Sequence, residues 1–354
     1  MFLEIAIVAD DLTGAIDTAT PFAQCGMSVA VALSPDHLDK AMKEDPVVLT
    51  VATGTRHVSE AEAQERLLHT TDLLRRFSPR VYFKKIDSRL KGNVVAESVA
   101  MLRGLQRDEI ALVPAIPEQG RLQRAGHVTG MGVDQPIPLP AFPASIGVHA
   151  PDIVTQADLS AVAAQILADP HVLAVGARGL GQALAKHLAR GTDCVAPIAF
   201  EFPLLIAVGS RDPITIRQME HLTRVRADVT DIVAPKGEVP AIVTQRSPVT
   251  LVRCIEAGPA EDGATVACRF GEGIAALIER QTPRTLIASG GDTAAAILRA
   301  AGVDTLHPIG EIEASLPISS FNLGGRTAHL ITKSGGFGAE DVLSEIVGGA
   351  CSPA

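Results

Sequence analysis

Val8-Ala9-Asp10-Asp11-Leu12-Thr13-Gly14-Ala15 is the stretch that decides the fold. Before it, Leu3–Ala9 is apolar and strand-like; after it, Thr13–Cys25 reads as a helix. Strand, tight acidic turn and helix together open a βα unit. They put two adjacent carboxylates at the C-terminal end of a first strand, where open α/β sheets collect ligands. Pro21 inside the helix predicts a kink or an early end.

The same alternation continues outward. Val29–Leu33 and Val47–Ala52 are short β-branched runs, and Ser59 with Glu62 forms a capping box for a helix reaching about Phe77. Arg80–Ile86, Asn93–Leu105 and Glu109–Val113 read as strand, helix, strand. From Pro114 to Pro151 proline and glycine crowd the chain, which predicts a long irregular segment. Helix Asp158–Ala168, strand Val172–Val175 and helix Gly179–Arg190 follow. The second half starts with strand Pro203–Val208, then Asp212 as N-cap with Pro213 at the first helical position. Strand Thr250–Ile255, helix Gly271–Gln281, strand Thr285–Ala288, helix Asp292–Ala301, a β-rich stretch to Thr332 and helix Ala339–Val347 complete the pattern. This rhythm predicts an α/β protein of two domains, 1–200 and 201–354, each with a mostly parallel, doubly wound sheet.

Composition narrows the function. The 354 residues are 47% hydrophobic and 20% charged, as expected of globular domains. Aromatics are 3%, Trp is absent and the net charge is −9, which argues against nucleic acid and anionic membranes as partners. The five cysteines are scattered without a close Cys-x-x-Cys pair, which suits thiols in a reducing compartment. The N-terminus lacks a basic signal-peptide start, and no window is apolar enough to span a bilayer, so the expected location is the cytoplasm.

Three groups of residues carry the chemistry. Asp10 and Asp11 could bind sugar hydroxyls or a metal, or act as a base; a plain N-cap would need only one acid. Asp11-Leu12-Thr13 matches half of a phosphatase D-x-D-x-T pattern, but Ala9 stands at the nucleophile position and cannot form an aspartyl-phosphate. Lys84-Lys85-Ile86-Asp87-Ser88-Arg89-Leu90-Lys91-Gly92-Asn93 places four cations in eight residues at a strand end, suited to holding an anion. Arg56 and Arg121, each after another strand, can join it. In the second half, Ser289-Gly290-Gly291-Asp292-Thr293 and Lys333-Ser334-Gly335-Gly336-Phe337-Gly338 are glycine turns that open helices, with Ser210 a further member. Such turns offer unpaired N–H groups and a favourable helix dipole to phosphate. There is no P-loop, zincin motif or nucleophile elbow, and the ten histidines show no ligand spacing. Gly176-Ala177-Arg178-Gly179-Leu180-Gly181 reads as a simple strand-to-helix turn.

Taken in order, these motifs resemble the four-carbon acid sugar kinases. The resemblance rests on Ala9–Ala15, Lys84–Ser88 with Leu90–Asn93, Pro114–Pro117 with Gly120-Arg121, Val208–Ser210, Ser289–Thr293 and Lys333–Gly338, and departs over residues 122–151. It implies ATP- and Mg²⁺-dependent phosphorylation of threonate, erythronate or an oxo-tetronate at its terminal hydroxyl, in a cleft between the domains. It implies that Asp11, Arg56, Lys85, Asp87 and Ser88 meet the sugar acid; the residue pattern adds Asp10, Arg89, Lys91, Asn93 and Arg121 as candidates, and Asp11, Asp87 and Lys85 are expected closest to the chemistry. It implies that Ser210, Gly290, Gly291, Asp292, Thr293, Lys333, Gly335 and Gly336 serve ATP; the Mg²⁺ ligand stays unassigned and homo-oligomerisation open. Two rivals are a dinucleotide-dependent oxidoreductase and a sugar-acid sensor that has lost transfer. The first needs an acidic ribose reader about 20 residues past a glycine turn. Glu311 and Glu313 stand near that distance, but the G-x-G-x-x-G is missing. A turnover assay separates kinase from sensor.

Overall fold

The computed structural model describes residues 2–189, 198–241, 247–313 and 315–351. Packing divides the chain into two units, Met1–Ala196 and Pro197–Ala354. The division falls in a stretch that, with Cys194, lies outside the described residues.

The first unit runs β1 (Ile5–Ala9), α1 (Leu12–Gln24), β2 (Val29–Ala32), α2 (Leu38–Met42), β3 (Val48–Ala52), α3 (Glu60–Arg75), β4 (Val81–Lys85), α4 (Val94–Leu105) and β5 (Glu109–Val113). It continues with β6 (Arg121–Arg124), β7 (His127–Gly130), β8 (Ile137–Pro138), β9 (Gly147–His149), α5 (Gln156–Ala168), β10 (Leu173–Gly176) and α6 (Arg178–Leu188). Its main sheet is parallel throughout, in the order β2-β3-β1-β4-β10-β5-β9. The central strands are buried on both faces, which is why they read as unbroken apolar runs. Helices α3 and α4 pack together on one face; α1, α5 and α6 pack together on the other. After β3 the chain crosses to the far side of β1 to build β4, so the strand order reverses at β1, and ligand crevices form at such reversals.

The second unit runs β11 (Leu204–Val208), α7 (Pro213–Val225), β12 (Val229–Pro235), β13 (Val249–Ile255), α8 (Gly263–Gln281), β14 (Thr285–Ser289) and α9 (Gly291–Ala300). Then come β15 (Thr305–Glu311), β16 (Pro317–Leu323), β17 (Arg326–Lys333) and α10 (Val342–Gly349). Strands β12-β13-β11-β14-β17 are parallel, and β16 and β15 extend the sheet antiparallel. Helices α7 and α10 cover one face, and α8 and α9 pack together. Here the reversal lies at β11, beside β14.

Several local expectations are corrected. Pro21 neither ends nor shortens α1. It sits in the last turn, and Cys25, Gly26 and Met27 donate back to the carbonyls of Pro21, Phe22 and Ala23. The capping box at Ser59 is half formed: Ser59 accepts from the Glu62 N–H, but the Glu62 carboxylate turns forward to Arg66. Residues 114–151 are irregular only in part. They hold the small antiparallel sheet β6-β7-β8 and the edge strand β9, because the glycines at 120, 126 and 130 supply positive φ at tight turns. Helix α8 begins eight residues before Gly271, capped by Asp262. A side chain at Gly271 would meet the Ala296 backbone at 2.7 Å, so its glycine lets α8 and α9 touch. Strand β12 escaped the sequence reading because its burial is mixed along its length. Among the described residues no helix is long and apolar enough to cross a membrane.

Candidate active site

In the first unit the site grows from the parallel register. Ala9 of β1 is level with Ala52 of β3 and Lys85 of β4, so the residues that follow all three strands emerge at one end of the sheet. Thr53 Oγ1 donates to the Ala9 carbonyl and Thr55 N–H to the Asp10 carbonyl, which folds the loop after β3 over the acidic turn. Arg56 is thereby aimed at both aspartates. Its Nε and Nη2 donate to the two oxygens of Asp10 at 2.8 and 3.0 Å, and its Nη1 donates to Asp11 Oδ2 at 2.5 Å. The other Asp11 oxygen caps α1 by accepting from the Gly14 N–H at 2.8 Å.

Lys84 and Lys85 are neighbours on one strand and therefore point to opposite faces. Lys84 turns towards α4 and is fully buried against Glu97. Lys85 turns towards α1. A Cβ built on Gly14 would lie 2.8 Å from Lys85 Nζ and 2.5 Å from Asp11 Oδ1, so ammonium and carboxylate both face the first turn of α1. Lys85 is 6% exposed, yet its ammonium makes no hydrogen bond or ion pair within the described residues. A cation so placed suits an incoming anion. Gly14→Ala is expected to displace Lys85 and Asp11 and cut turnover roughly 10-fold or more, since small misplacements near the reacting atoms are expensive. Thermal stability should fall by no more than the worth of one helix cap, about 1 kcal/mol, because Asp11 caps α1 and the other group displaced is the flexible end of a lysine. Wild-type turnover in that variant would remove this contact from the chemistry.

The two carboxyls are pushed apart. Burial drives Asp10 up, but Lys84, Arg56 and Lys85 outweigh it and hold Asp10 below the ordinary carboxylate range. Asp11 is raised, mainly by burial and further by Asp10, with Arg56 and Lys85 opposing. Two acids with environments of opposite sense define an ionised structural partner and a candidate base. Burial lowers Arg56, yet its bonds and charges from Asp10 and Asp11 leave it above its normal value.

Most of the remaining predicted residues bond to the loops of their own unit. Asp87 accepts from the backbone N–H of Arg89 and Lys91, so it shapes the loop in which Leu90 and Gly92 take positive φ. Gly92 closes on the ion pair, with a virtual Cβ 3.2 Å from Asp10 Oδ2. Ser88 accepts from Arg121 Nη1 at 2.6 Å, and Arg121 also donates to the Met131 carbonyl, joining this loop to β6 and β7. Arg89 reaches the Gly132 carbonyl. Asn93 is turned inward: its amide donates to the Thr55 and Val58 carbonyls and braces the loop after β3. Lys91 is exposed, and its side chain is not brought to the acids. Arg56, expected to meet the sugar acid, already grips two carboxylates of its own protein.

In the second unit three glycine turns converge, and no single motif announced that. Val208, Ser289 and Lys333 are level across β11, β14 and β17. A Cβ on Gly209 would fall 2.1 Å from Thr293 Oγ1, and one on Gly335 would fall 2.3 Å from Ser210 Oγ. One on Gly336 would lie 2.9 Å from Asp212 Oδ2, and Gly290 has φ +107°. Gly290 is the N-cap of α9, so Asp292 is a first-turn residue and not the cap. The first N–H groups of a helix, here those of Gly291, Asp292 and Thr293, have no intrahelical acceptor and can receive phosphate. Thr215 and Gln218, missed from sequence, hold the third turn: Thr215 donates to the Gly335 carbonyl, and Gln218 to those of Phe337, Gly338 and Ala339. Their signal was two polar residues on the apolar face of α7, beside Met219 and Leu222.

Lys333 lies buried at this cradle, donating to the Ser334 and Gly335 carbonyls. Burial lowers it to about 8, against the pull of Asp212. A bound polyphosphate favours the ammonium, so binding of a polyphosphate here above pH 8 should take up a proton. Calorimetry at pH 8.5 in buffers of different ionisation heat measures this, and no uptake removes Lys333 from the cradle. Without nucleotide, the unfolded chain keeps a proton that the folded one has lost between about 8 and 10.5, so stability should rise with pH across that window. Among the described residues no group of three or more His, Cys, Asp or Glu could hold a metal. Asp212 uses one carboxylate oxygen to cap α7 by accepting from the Ile214 N–H.

The two units carry different arrangements at their strand ends: paired acids with a buried lysine in the first, and glycine turns gathered at the start of α9 in the second. Residues 5–142 match the family model of a sugar-binding N-terminal domain, and residues 222–343 that of a nucleotide-binding C-terminal domain. The chain is 30% identical to the D-threonate kinase of Bordetella bronchiseptica over 396 residues, covering 96% of this chain and 95% of that one. It is 24% identical to the 3-oxo-tetronate kinase of Pseudomonas savastanoi pv. phaseolicola, over 96% of each chain. The crystal structure of a Haemophilus influenzae protein shares the fold at TM-score 0.72 and 18% identity, covering 97% of this chain and 99% of that one. The chain belongs to the four-carbon acid sugar kinase family.

Proposed function

We propose that the protein transfers the γ-phosphoryl group of ATP to the terminal hydroxyl of a four-carbon sugar acid. The observation that carries this reading is the presence on one chain of two different anion sites. One has a base candidate beside an unpartnered ammonium (Asp11 and Lys85), the other a cradle of glycine turns around the start of α9. A binding protein for an acid needs the first site only, and a nucleotide sensor the second.

In this reading the first unit holds the acid. Lys85 attracts its negative charge, with Ser88, Arg89 and Arg121 on the neighbouring loop. Arg56 fixes the two aspartates, and Asp11 orients the acceptor hydroxyl and takes its proton. The second unit holds ATP, with the N–H groups of Gly291, Asp292 and Thr293 on phosphate oxygens and Lys333 adding positive charge. Mg²⁺ bound with the nucleotide would supply further neutralisation of phosphate charge. Positioning and charge neutralisation of this kind account for most of the catalysis of phosphoryl transfer. Relatives named for threonate and for 3-oxo-tetronate leave the acid to experiment.

The test is ADP release from Mg-ATP in the presence of D-threonate, D-erythronate or 3-oxo-tetronate, with mass spectrometry of the product. Stimulation by one acid, and a monophosphorylated product, is expected. ADP release that no four-carbon acid stimulates would overturn the reading.

A further inference from the structure

Resting on that kinase reading, we infer that Lys84 and Glu97, a buried pair outside the ligand contacts, act as positioning residues that tie the ends of β1 and β4 to α4 and so hold the Asp10, Arg56 and Asp11 cluster in working geometry. Lys84 Nζ meets Glu97 Oε2 at 2.7 Å, with both side chains essentially inaccessible. The same ammonium donates to the Lys85 carbonyl at 2.7 Å and the Val8 carbonyl at 3.4 Å. Its three protons therefore tie together the C-terminal ends of β1 and β4 and the first turns of α4. These are the elements that carry Asp10, Lys85 and the Gly92 loop.

Bulk stability is a poor reason for such a pair. A buried ion pair often contributes less than apolar residues of the same volume, because both charges lose their water. This one also leaves Glu97 Oε1 buried without a partner. Its placement is informative. Val8 and Lys84 are register partners, so their side chains share a face, and Asp10 follows Val8 by two residues on that face. Charges then alternate from the helix to the site: Glu97, Lys84, Asp10, Arg56, Asp11. The groups facing Asp10 come from each element around it: Lys84 and Lys85 from β4, Arg56 from the loop after β3, Gly92 from the loop before α4, and Asp11 from its own turn. Asp87 adds its field at Arg56. Lys84 is the largest of the charges that keep Asp10 ionised. Without it, Asp10 gains a proton more readily, the bidentate bond to Arg56 weakens, and the two acids titrate as a different pair.

The test uses two variants whose expected shifts have opposite signs. Lys84→Met with Glu97→Leu removes both charges and leaves none stranded. It should fold and bind ATP as the wild type does, lose roughly 10- to 100-fold in kcat/KM for the acid, and show an acid limb displaced upward by roughly one pH unit. Glu97→Gln keeps the bond to Lys84 but removes the charge that offsets it, so the acid limb should move down. The carboxyl titration of Asp10 by ¹³C NMR should follow the same signs without any turnover. If the wild type phosphorylates no four-carbon acid, the kinase reading fails, while the NMR titration still decides the role of the pair. Absent shifts, or shifts of the same sign in both variants, overturn it. Should the double variant fail to fold, the Glu97→Gln titration decides alone, and an unmoved Asp10 sinks the inference.

Discussion

Asp11→Asn should lower turnover roughly 10²- to 10⁴-fold, the range that a general base contributes, while leaving ATP affinity at its wild-type value. Asparagine keeps the carbonyl oxygen that accepts from the Gly14 N–H, and it caps helices about as well as aspartate. The cap is therefore preserved, while the proton acceptor and the ion pair with Arg56 are lost. The effect on stability has a definite sign. The raised carboxyl of Asp11 binds its proton more tightly in the folded chain than in the unfolded one. Its contribution is present below the unfolded value and lost as pH rises through the folded one, so at neutral pH the native aspartate is destabilising. The asparagine variant should melt at the same temperature or higher at pH 7. In the wild type, kcat should fall on acidification at a pH above the ordinary carboxylate range, because the base must be ionised. Full turnover in the variant would take Asp11 out of the mechanism.

Gly290→Val should raise the KM for ATP roughly 100-fold or more, the scale of loss when a binding geometry shifts by about 1 Å. Gly290 has φ +107°, a conformation that valine reaches only with strain. Its side chain would also lie 3.1 Å from Thr293 Oγ1 and crowd the Ser210 N–H. The cap of α9 has to move, and with it the N–H groups that receive phosphate. Binding of the sugar acid, measured calorimetrically without nucleotide, should persist, since no residue of the first unit is touched. Normal ATP affinity in this variant would mean that the nucleotide binds elsewhere.

Both predictions concern turns that the sequence announced. An apolar run, then acid or glycine, then a helix signal is a local pattern, and the βα boundary that it marks depends on residues within a few positions of each other. The same locality made Asp212-Pro213 legible as the start of α7. Where the sequence misled, tertiary contacts overrode a local signal. Pro21 reads as a stop, but α1 had one turn left to run. The prolines of 114–151 read as irregular chain, but glycine turns let the segment fold back on itself as β6, β7 and β8.

The division of labour among the site residues was hidden for the same reason. Nothing in Thr55-Arg56-His57 states that Arg56 is held by two acids 45 residues away, or that Asn93 serves the loop after β3. Lys84 and Lys85 are identical letters in a row, and the pleat of β4 alone sends one to a buried glutamate and the other to the ligand end of α1. Gly209, Gly290 and Gly335 are far apart in the chain. They come together because β11, β14 and β17 lie side by side in level register. By itself the sequence determined the α/β class, the turns and the residue types available for chemistry, since short-range sterics and burial periodicity fix those. Only the tertiary structure decided which charges face each other, which are buried, and in which direction each acid is shifted, because charge energies depend on distance and desolvation in space.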